Sequence, residues 1–459
     1  MKVLLVSHRF PPEGTAGTET YTAGLAAALA RRGHAVAVFA AAKDIGAPDL
    51  SMRVRDHDGT PVHEVINNLF HEDFRETWDH PRIDELFDAL LDRLAPDVVH
   101  FQHLLYLSAG CVATAHRRGI RVVFTLNDYW LQCARFGQRL HADGGLCSVV
   151  DFARCGTCLP SFKFAQTPAQ RRVGAAIAGL RSTTGLDLAS LARRTANAMP
   201  GPRVRAYAPP PESESRAMAR TAELRSSELF ARVVPNVDLF LAPSRFLRDR
   251  FVGEWGIPAQ KIEHLPYGVD LAALPAAPRT RTPELRVAFL GSLIAVKGPH
   301  VLLDAWGRIA PEVRARGTLV LHGPTQHEPD YVAWLETRAQ EVGARILGRL
   351  ERAEVARALA SIDLLVVPSV WFENAPLVIH EAMRAGTPLL VSDLGGMAEL
   401  VEEGRGGWRF PAGDADALAR RLTALLLDRS ALDDLEPPVS VAPSFEEHAS
   451  AIEARYRRA

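Results

Sequence analysis

The chain has 459 residues, too long for one ordinary domain and comfortable for two. Its 53 Lys and Arg against 54 Asp and Glu leave a formal net charge of −1, which argues against nucleic-acid binding by bulk electrostatics. No apolar run reaches the roughly 18–20 residues of a membrane-spanning helix.

The opening "KVLLVS" is broken at His8, Arg9 and Pro11-Pro12, so it reads as a first strand and not as a leader, which predicts a cytoplasmic protein that can still touch a membrane surface. Residues Thr20 to Arg32 read as a helix with Gly33 as its C′ residue, and "HAVAVFA" returns as a second strand. "PDVVHFQ", "IRVVFTL", "VDLFLAPS" and "KIEHLPYG" continue the alternation. Apolar runs separated by helical segments indicate parallel strands covered on both faces.

A Pro-, Ala- and Thr-rich break at Leu271–Glu284 reads as a linker, after which "RVAFLG", "TLVLHG", "ARILG", "IDLLVVPS" and "PLLVSD" restart the pattern. The expectation is α/β, with two Rossmann-like domains facing across a cleft: residues 1–275, then 284–440, with 441–459 a closing helix that returns toward the first domain. Residues 131–232 fit the rhythm poorly and read as an insertion on the first domain, holding a cysteine cluster and the basic amphipathic stretch "QRRVGAAIAGLRS". That stretch reads either as a solvated helix or as a contact with anionic lipid.

In "IDLLVVPSVWFENAPLVIHEAMRAGTPLLVSDLGG" a strand Ile362–Pro368 leads through a loop to a helix, with Asn374 as N-cap, Pro376 in the first turn and Gly386 at the end. The free N–H groups of Leu377 and Val378 then make an anion site at the carboxyl edge of the sheet. Glu381 lies deeper, roughly 7.5 Å along the axis at 1.5 Å per residue, a step like that from a phosphate to a ribose. Glu373 lies on the other side of the phosphates, where a transferred sugar would sit. The alternative is a solvated helix acid and a loop acid, but an acid within "PLVIHEAM" needs a partner. "VAFLGSLIAVKGPH" supplies Lys297 in the loop after a strand, able to neutralise a diphosphate.

These stretches, with the opening "PPEGTAGTETYTAGLAAALARRGHAVAVF" and "YGVD" at Tyr267–Asp270, resemble the family-four retaining glycosyltransferases of the GT-B fold. The resemblance spans most of the chain outside the insertion. It implies that Lys297 binds the diphosphate of a nucleotide-diphosphate sugar donor, Glu381 the ribose, and Glu373 the donor sugar. It also implies that Leu377 and Val378 give backbone N–H groups to the phosphates, that Asn374, Ala375 and Gly17 bind the donor, and that Gly17-Thr18-Glu19 matches the family's amino-terminal acceptor loop. Ser292 stands where many members carry Arg, and the loops carrying Arg9 and Arg245 are the candidate sources of a replacement cation.

A His near the reacting sugar is also implied, which makes His103 the candidate imidazole. Asp128, at the next strand end, reads as an acceptor-hydroxyl ligand or as an Asx-turn. The implied chemistry is front-face transfer to an acceptor hydroxyl on a saccharide or a lipid-linked acceptor, without a catalytic metal. A nucleotide-sugar epimerase of the same architecture and a noncatalytic nucleotide-sugar-binding partner are the rival readings.

Cys133, Cys147, Cys155 and Cys158 fall within 26 positions and include one C-x-x-C, a pattern suited to structural zinc, with disulfides or free thiols as the alternatives. Cys111 is left over and reads as buried.

Overall fold

A computed structural model describes residues 1–14, 16–184, 207–270, 282–325, 328–436 and 442–457. The linker read at Leu271–Glu284 lies outside the described residues up to position 281.

The first sheet has eight strands: β1 (Lys2–Ser7), β2 (Ala35–Ala42), β3 (Met52–His57), β4 (Thr60–Ile66), β5 (Val98–Phe101), β6 (Arg121–Thr125), β7 (Leu239–Ala242) and β8 (Ile262–His264). Their order is β3-β4-β2-β1-β5-β6-β7-β8, parallel except for the antiparallel β3–β4 edge. The second sheet holds β9 (Leu285–Leu290), β10 (Gly317–His322), β11 (Arg345–Ile346), β12 (Leu364–Val367), β13 (Leu389–Ser392), β14 (Glu402–Glu403) and β15 (Gly406–Phe410), in the order β11-β10-β9-β12-β13-β15-β14. The apolar runs are continuous because both faces of each sheet are covered; all four residues of β5, β7, β12 and β13 are buried.

Each sheet has a topological switch point. From β1 the chain moves to one side to build β2 and later to the other side to build β5, so β1 and β5 are neighbours whose loops diverge. β9 and β12 repeat this in the second sheet. Ligands of such sheets bind in the crevice at these points.

Two features tie the halves together. The Phe445–Tyr456 helix, opened by a Ser444/Glu447 capping box, packs on the Gly17–Arg31 helix of the first domain. There Tyr456 OH lies 2.7 Å from His100 Nδ1, and His448 Nε2 lies 2.7 Å from Tyr21 OH. Across the cleft, Phe372 sits among Tyr129, Phe246 and the Arg250 guanidinium, so a loop of the second domain is buried in the core of the first.

The segment 131–232 is less of an appendage than the sequence suggests. The Glu212–Val233 helix puts Leu229 and Val233 fully into the first domain's core, on the crossover from β6 to β7. Its apolar residues are sparse, which hid this role. The basic stretch forms the Pro168–Thr184 helix, with Val173 and Leu180 exposed. No helix among the described residues is long and apolar enough to cross a membrane.

Candidate functional site

The loops after β9 and β12 are joined at the second switch point. Gly298 begins the Pro299–Arg308 helix at φ +69°, and a Cβ there would run into the carbonyl oxygen of Pro368. The Val370 N–H donates to Val296 O at 3.0 Å. Lys297 stands at this junction, its Nζ 2.6 Å from Glu373 Oε1 and 5.5 Å from the centre of the Trp371 ring. The same carboxylate oxygen accepts from Ser369 Oγ at 2.9 Å and from Trp371 Nε1 at 2.8 Å. Glu373 is only 5% exposed, and these donors offset the loss of its hydration.

The helix after this loop runs Leu377–Arg384 and ends at Gly386, φ +68°. Asn374 is not its N-cap: Pro376 holds that position without a side-chain cap, and the Asn374 amide crosses the cleft to donate to the carbonyl oxygen of Asn127. The interdomain hydrogen bond wins because the loop is clamped three residues before the helix begins. Gly395 and Gly396 form the clamp. The Gly396 N–H donates to Glu373 O at 2.7 Å, and a Cβ on Gly396 would occupy the space of the Asn374 carbonyl. Ala375 is buried against the first domain. The N–H groups of Leu377 and Val378 fall in the first turn, where an α-helix offers no intrahelical acceptor.

Between the two sheets lies a cavity of about 360 Å³. Ser292, Val378 and Glu381 line it from the second domain; Arg9, Ala16 and Glu19 line it from the first. Glu381 is 8% exposed and forms part of this wall. Gly17, next to Ala16, begins the Gly17–Arg31 helix. Two arginines also line the cavity with Ser292: Arg9, whose guanidinium lies 5.2 Å over the Tyr106 ring, and Arg349 from the loop after β11. Arg245 is not among the lining residues; its backbone N–H bonds Glu399 Oε1 at 3.0 Å, another interdomain contact.

The first switch point adds an imidazole pair. His103 Nδ1 accepts the Leu105 N–H at 2.9 Å, so the proton sits on Nε2, 2.9 Å from Asp128 Oδ2. Asp128 Oδ1 also accepts the Trp130 N–H at 2.7 Å, the Asx-turn bond. The His8 ring lies 4.5 Å from that of His103, and its Nε2 lies 3.2 Å from Glu19 Oε1 at the cavity wall. Burial, with His103 close by, pushes the His8 pKa down, which favours the neutral ring. Sequence reasoning missed His8, Arg349 and Trp371 as site residues. His8 directly follows β1, and the switch-point rule would have found it.

The four clustered cysteines line one void of about 30 Å³, away from the cleft cavity, and all are free thiols. Cys111 is buried apart from them, its Sγ 3.6 Å from Asp84 Oδ1.

Comparison with known proteins matches the description "Glycosyltransferase Family 4" over residues 15–146 and "Glycosyl transferases group 1" over 284–428, together more than half of the chain. The chain is 35% identical over 170 residues to a phosphatidyl-myo-inositol mannosyltransferase of Mycobacterium leprae, covering 35% of this chain and 43% of that one. It is 30% identical over 218 residues to the putative colanic acid biosynthesis glycosyltransferase WcaL of Escherichia coli, covering 46% and 52%. The chain thus spans about half the length of the curated relatives it matches.

Among solved structures, sucrose-phosphate synthase of Thermosynechococcus elongatus superposes with a TM-score of 0.63 at 18% identity, over 99% of this chain and 98% of that one. Anabaena HepE in complex with UDP and glucose superposes at 0.60 and 16%, over 99% of both. At these identities the likeness establishes the fold. The chain belongs to the family-four, group 1 glycosyltransferases, built on the GT-B fold.

Proposed function

We propose that the chain is a retaining glycosyltransferase that moves a sugar from a nucleoside-diphosphate sugar to a hydroxyl of a saccharide or lipid-linked acceptor, in polysaccharide or glycoconjugate synthesis. The observation that carries this reading is the Lys297–Glu373 pair, held beside a helix N-terminus at the second switch point; the pair itself does not line the interdomain cavity, whose wall takes Ser292, Val378 and Glu381 from the same loops and helix. HepE, which superposes over nearly the whole chain, is described in complex with UDP-glucose as well as with UDP and glucose. WcaL is described as a putative colanic acid biosynthesis glycosyltransferase.

The residues divide the work as follows. The Lys297 ammonium has three donors; one is spent on Glu373, and the others meet the diphosphate. The Leu377 and Val378 N–H groups and the positive end of their helix add to this, and Arg9 and Arg349 supply the charge that Ser292 does not. Glu381 accepts hydrogen bonds from the ribose hydroxyls. In the transfer the bond from the anomeric carbon to the phosphate oxygen breaks, and the bond to the acceptor oxygen forms on the same face. The acceptor proton passes to the leaving phosphate. Stabilising the charge that builds on the diphosphate is then the main catalytic task.

The test is a panel of UDP-, GDP-, ADP- and dTDP-sugars with candidate acceptors, read by nucleoside-diphosphate release and by the anomeric configuration of the product. Release coupled to an α-product from an α-donor supports the reading. Conversion of the donor to an epimer without an acceptor, or binding without turnover across the panel, overturns it.

A further inference from the structure

Four cysteines on three separate pieces of backbone line one small void. Cys133 sits in the turn after Trp130, its N–H bonded to Tyr129 O at 2.7 Å. Cys147 closes a short hairpin, bridged at Leu140 and Leu146, and its N–H bonds Arg139 O at 2.9 Å. Cys155 and Cys158 lie three apart on one face of the Phe152–Cys158 helix, whose start is capped by Asp151. A void of about 30 Å³ suits a single ion or a water molecule and is far too small for an organic ligand.

A second feature points into the same void. Arg225, 2% exposed on the Glu212–Val233 helix, lines it. One Nη of this guanidinium donates to Trp130 O at 2.7 Å, and the group stacks 4.6 Å from the Trp130 ring. Its Nε has no partner, and no ion pair to a carboxylate forms on it among the described residues. A buried cation of this kind calls for an anion, and the groups around the void that can supply one are the thiols.

We propose that Cys133, Cys147, Cys155 and Cys158 bind one soft divalent cation, zinc by its preference for tetrahedral thiolate, as a structural brace. On binding, the four thiols release their protons to solvent and form four metal–sulfur bonds, leaving a net charge of −2 on the cluster. Arg225 offsets that charge from one side. Arg135, whose Nη1 lies 3.7 Å from Cys158 Sγ, offsets it from another.

Among the described residues only His71, Glu76 and His80 already have three ligand atoms within 4.8 Å of one another, so the proposed binding requires the four thiols to draw closer together than they stand. Zinc–sulfur bonds of about 2.3 Å bring tetrahedral sulfurs to about 3.8 Å from one another. The brace ties the turn after Asp128 to the Phe152–Cys158 helix, which packs on the Glu212–Val233 helix.

The experiment uses the untagged full chain, purified under reducing conditions. Metal content is measured by elemental mass spectrometry, and the metal is then exchanged for Co²⁺. The expected result is one equivalent of metal per chain and a cobalt spectrum with thiolate charge-transfer and tetrahedral d–d bands. Four thiols should become alkylatable only after chelation. Cys111→Ser should keep the full equivalent, whereas the Cys155→Ser/Cys158→Ser double variant should lose it. The wild-type cobalt spectrum is informative even if that variant fails to fold. A folded wild-type chain that binds no Co²⁺, disulfides among these cysteines in the non-reduced peptide map, or a full equivalent retained by the double variant would each overturn the assignment. The last would move the metal elsewhere, with the His71, Glu76 and His80 group as the first place to look. None of these readouts depends on transfer activity.

Discussion

Lys297 Nζ and Glu373 Oε1 stand 2.6 Å apart, although 76 positions separate them in the chain. The pair is the product of topology: β9 and β12 are neighbours at the switch point, and their loops are zipped by the Val370–Val296 hydrogen bond. Glu373 therefore aims the ammonium before any substrate arrives, and a preset cation does not need to be reoriented during charge transfer.

Removing that cation has a defined consequence. Lys297→Ala is expected to lower kcat about 100-fold or more, on the order of 3 kcal/mol in the barrier, as for loss of a preorganised anion-stabilising donor. Glu373→Gln keeps an acceptor but frees the ammonium, so a smaller fall in kcat is expected. Steady-state nucleoside-diphosphate release measures both. Unchanged kinetics in Lys297→Ala would remove this residue from the reaction.

Glu381 is expected to act in binding. Its place in the cavity wall beside Val378 and Ser292 suits contact with the nucleoside and not with the reacting carbon. Loss of charge-assisted hydrogen bonds worth about 1.5–3 kcal/mol should weaken nucleoside-diphosphate binding about 10- to 100-fold in Glu381→Ala. Calorimetric titration with the free nucleoside diphosphate gives the answer, and an unaltered Kd would place the ribose elsewhere.

The glycine clamp gives a steric prediction. A Cβ on Gly396 cannot coexist with the Asn374 carbonyl, so Gly396→Ala must push back the segment that carries Glu373 and the Asn374 bridge to Asn127. An overpacking cost of about 1–3 kcal/mol is expected, with a matching drop in thermal midpoint. Turnover should fall further than stability does, because the displaced atoms hold the Lys297 partner. Wild-type kcat in a folded Gly396→Ala chain would contradict the clamp.

Much of this was legible in the sequence for a local reason. Parallel strands buried on both faces leave continuous apolar runs, and Gly386 and Gly298 mark ends that need a positive φ. Lys297, Val378 and Glu381 became candidates because they lie in the loops and the helix that follow such strand ends, and Ser292 through the family resemblance. What stayed hidden depends on residues distant in the chain. Arg349 follows a two-residue strand with little pattern of its own, whereas His8 directly follows β1, and its partners His103 and Glu19 come from elsewhere in the chain. Asn374 reads as a cap until the second domain docks and offers the carbonyl of Asn127. The Glu212–Val233 helix carries too few apolar residues to announce a core role; Leu229 and Val233 reach the core, and Arg225 is buried beside Trp78 and Trp130.

The docking of the Phe445–Tyr456 helix is expected to be acid-sensitive. It is held through two buried imidazoles, His100 against Tyr456 and His448 against Tyr21. Burial pushes their pKa values down, to about 3 for His100, with His448 adding to the shift, and to about 4 for His448, where Arg455 adds to it. Unfolded or undocked histidines return to about 6.5.

Between these values the undocked state binds protons that the docked state refuses, so stability is full above pH about 6.5 and falls as the pH drops toward 4. The slope is about 1.4 kcal/mol per pH unit for each histidine. On the surface of this helix the Arg457 and Arg32 guanidinium groups hold the Glu453 carboxyl down to about 2, below that window. Hydrogen exchange of residues 445–456 followed from pH 7.5 to 4.5, corrected for intrinsic rates, is expected to lose protection progressively below about 6.5, while β1 and β6 hold theirs longer. Protection of the helix that stays flat across this range, or that rises on acidification, would mean that His100 and His448 do not hold it in the way the geometry indicates.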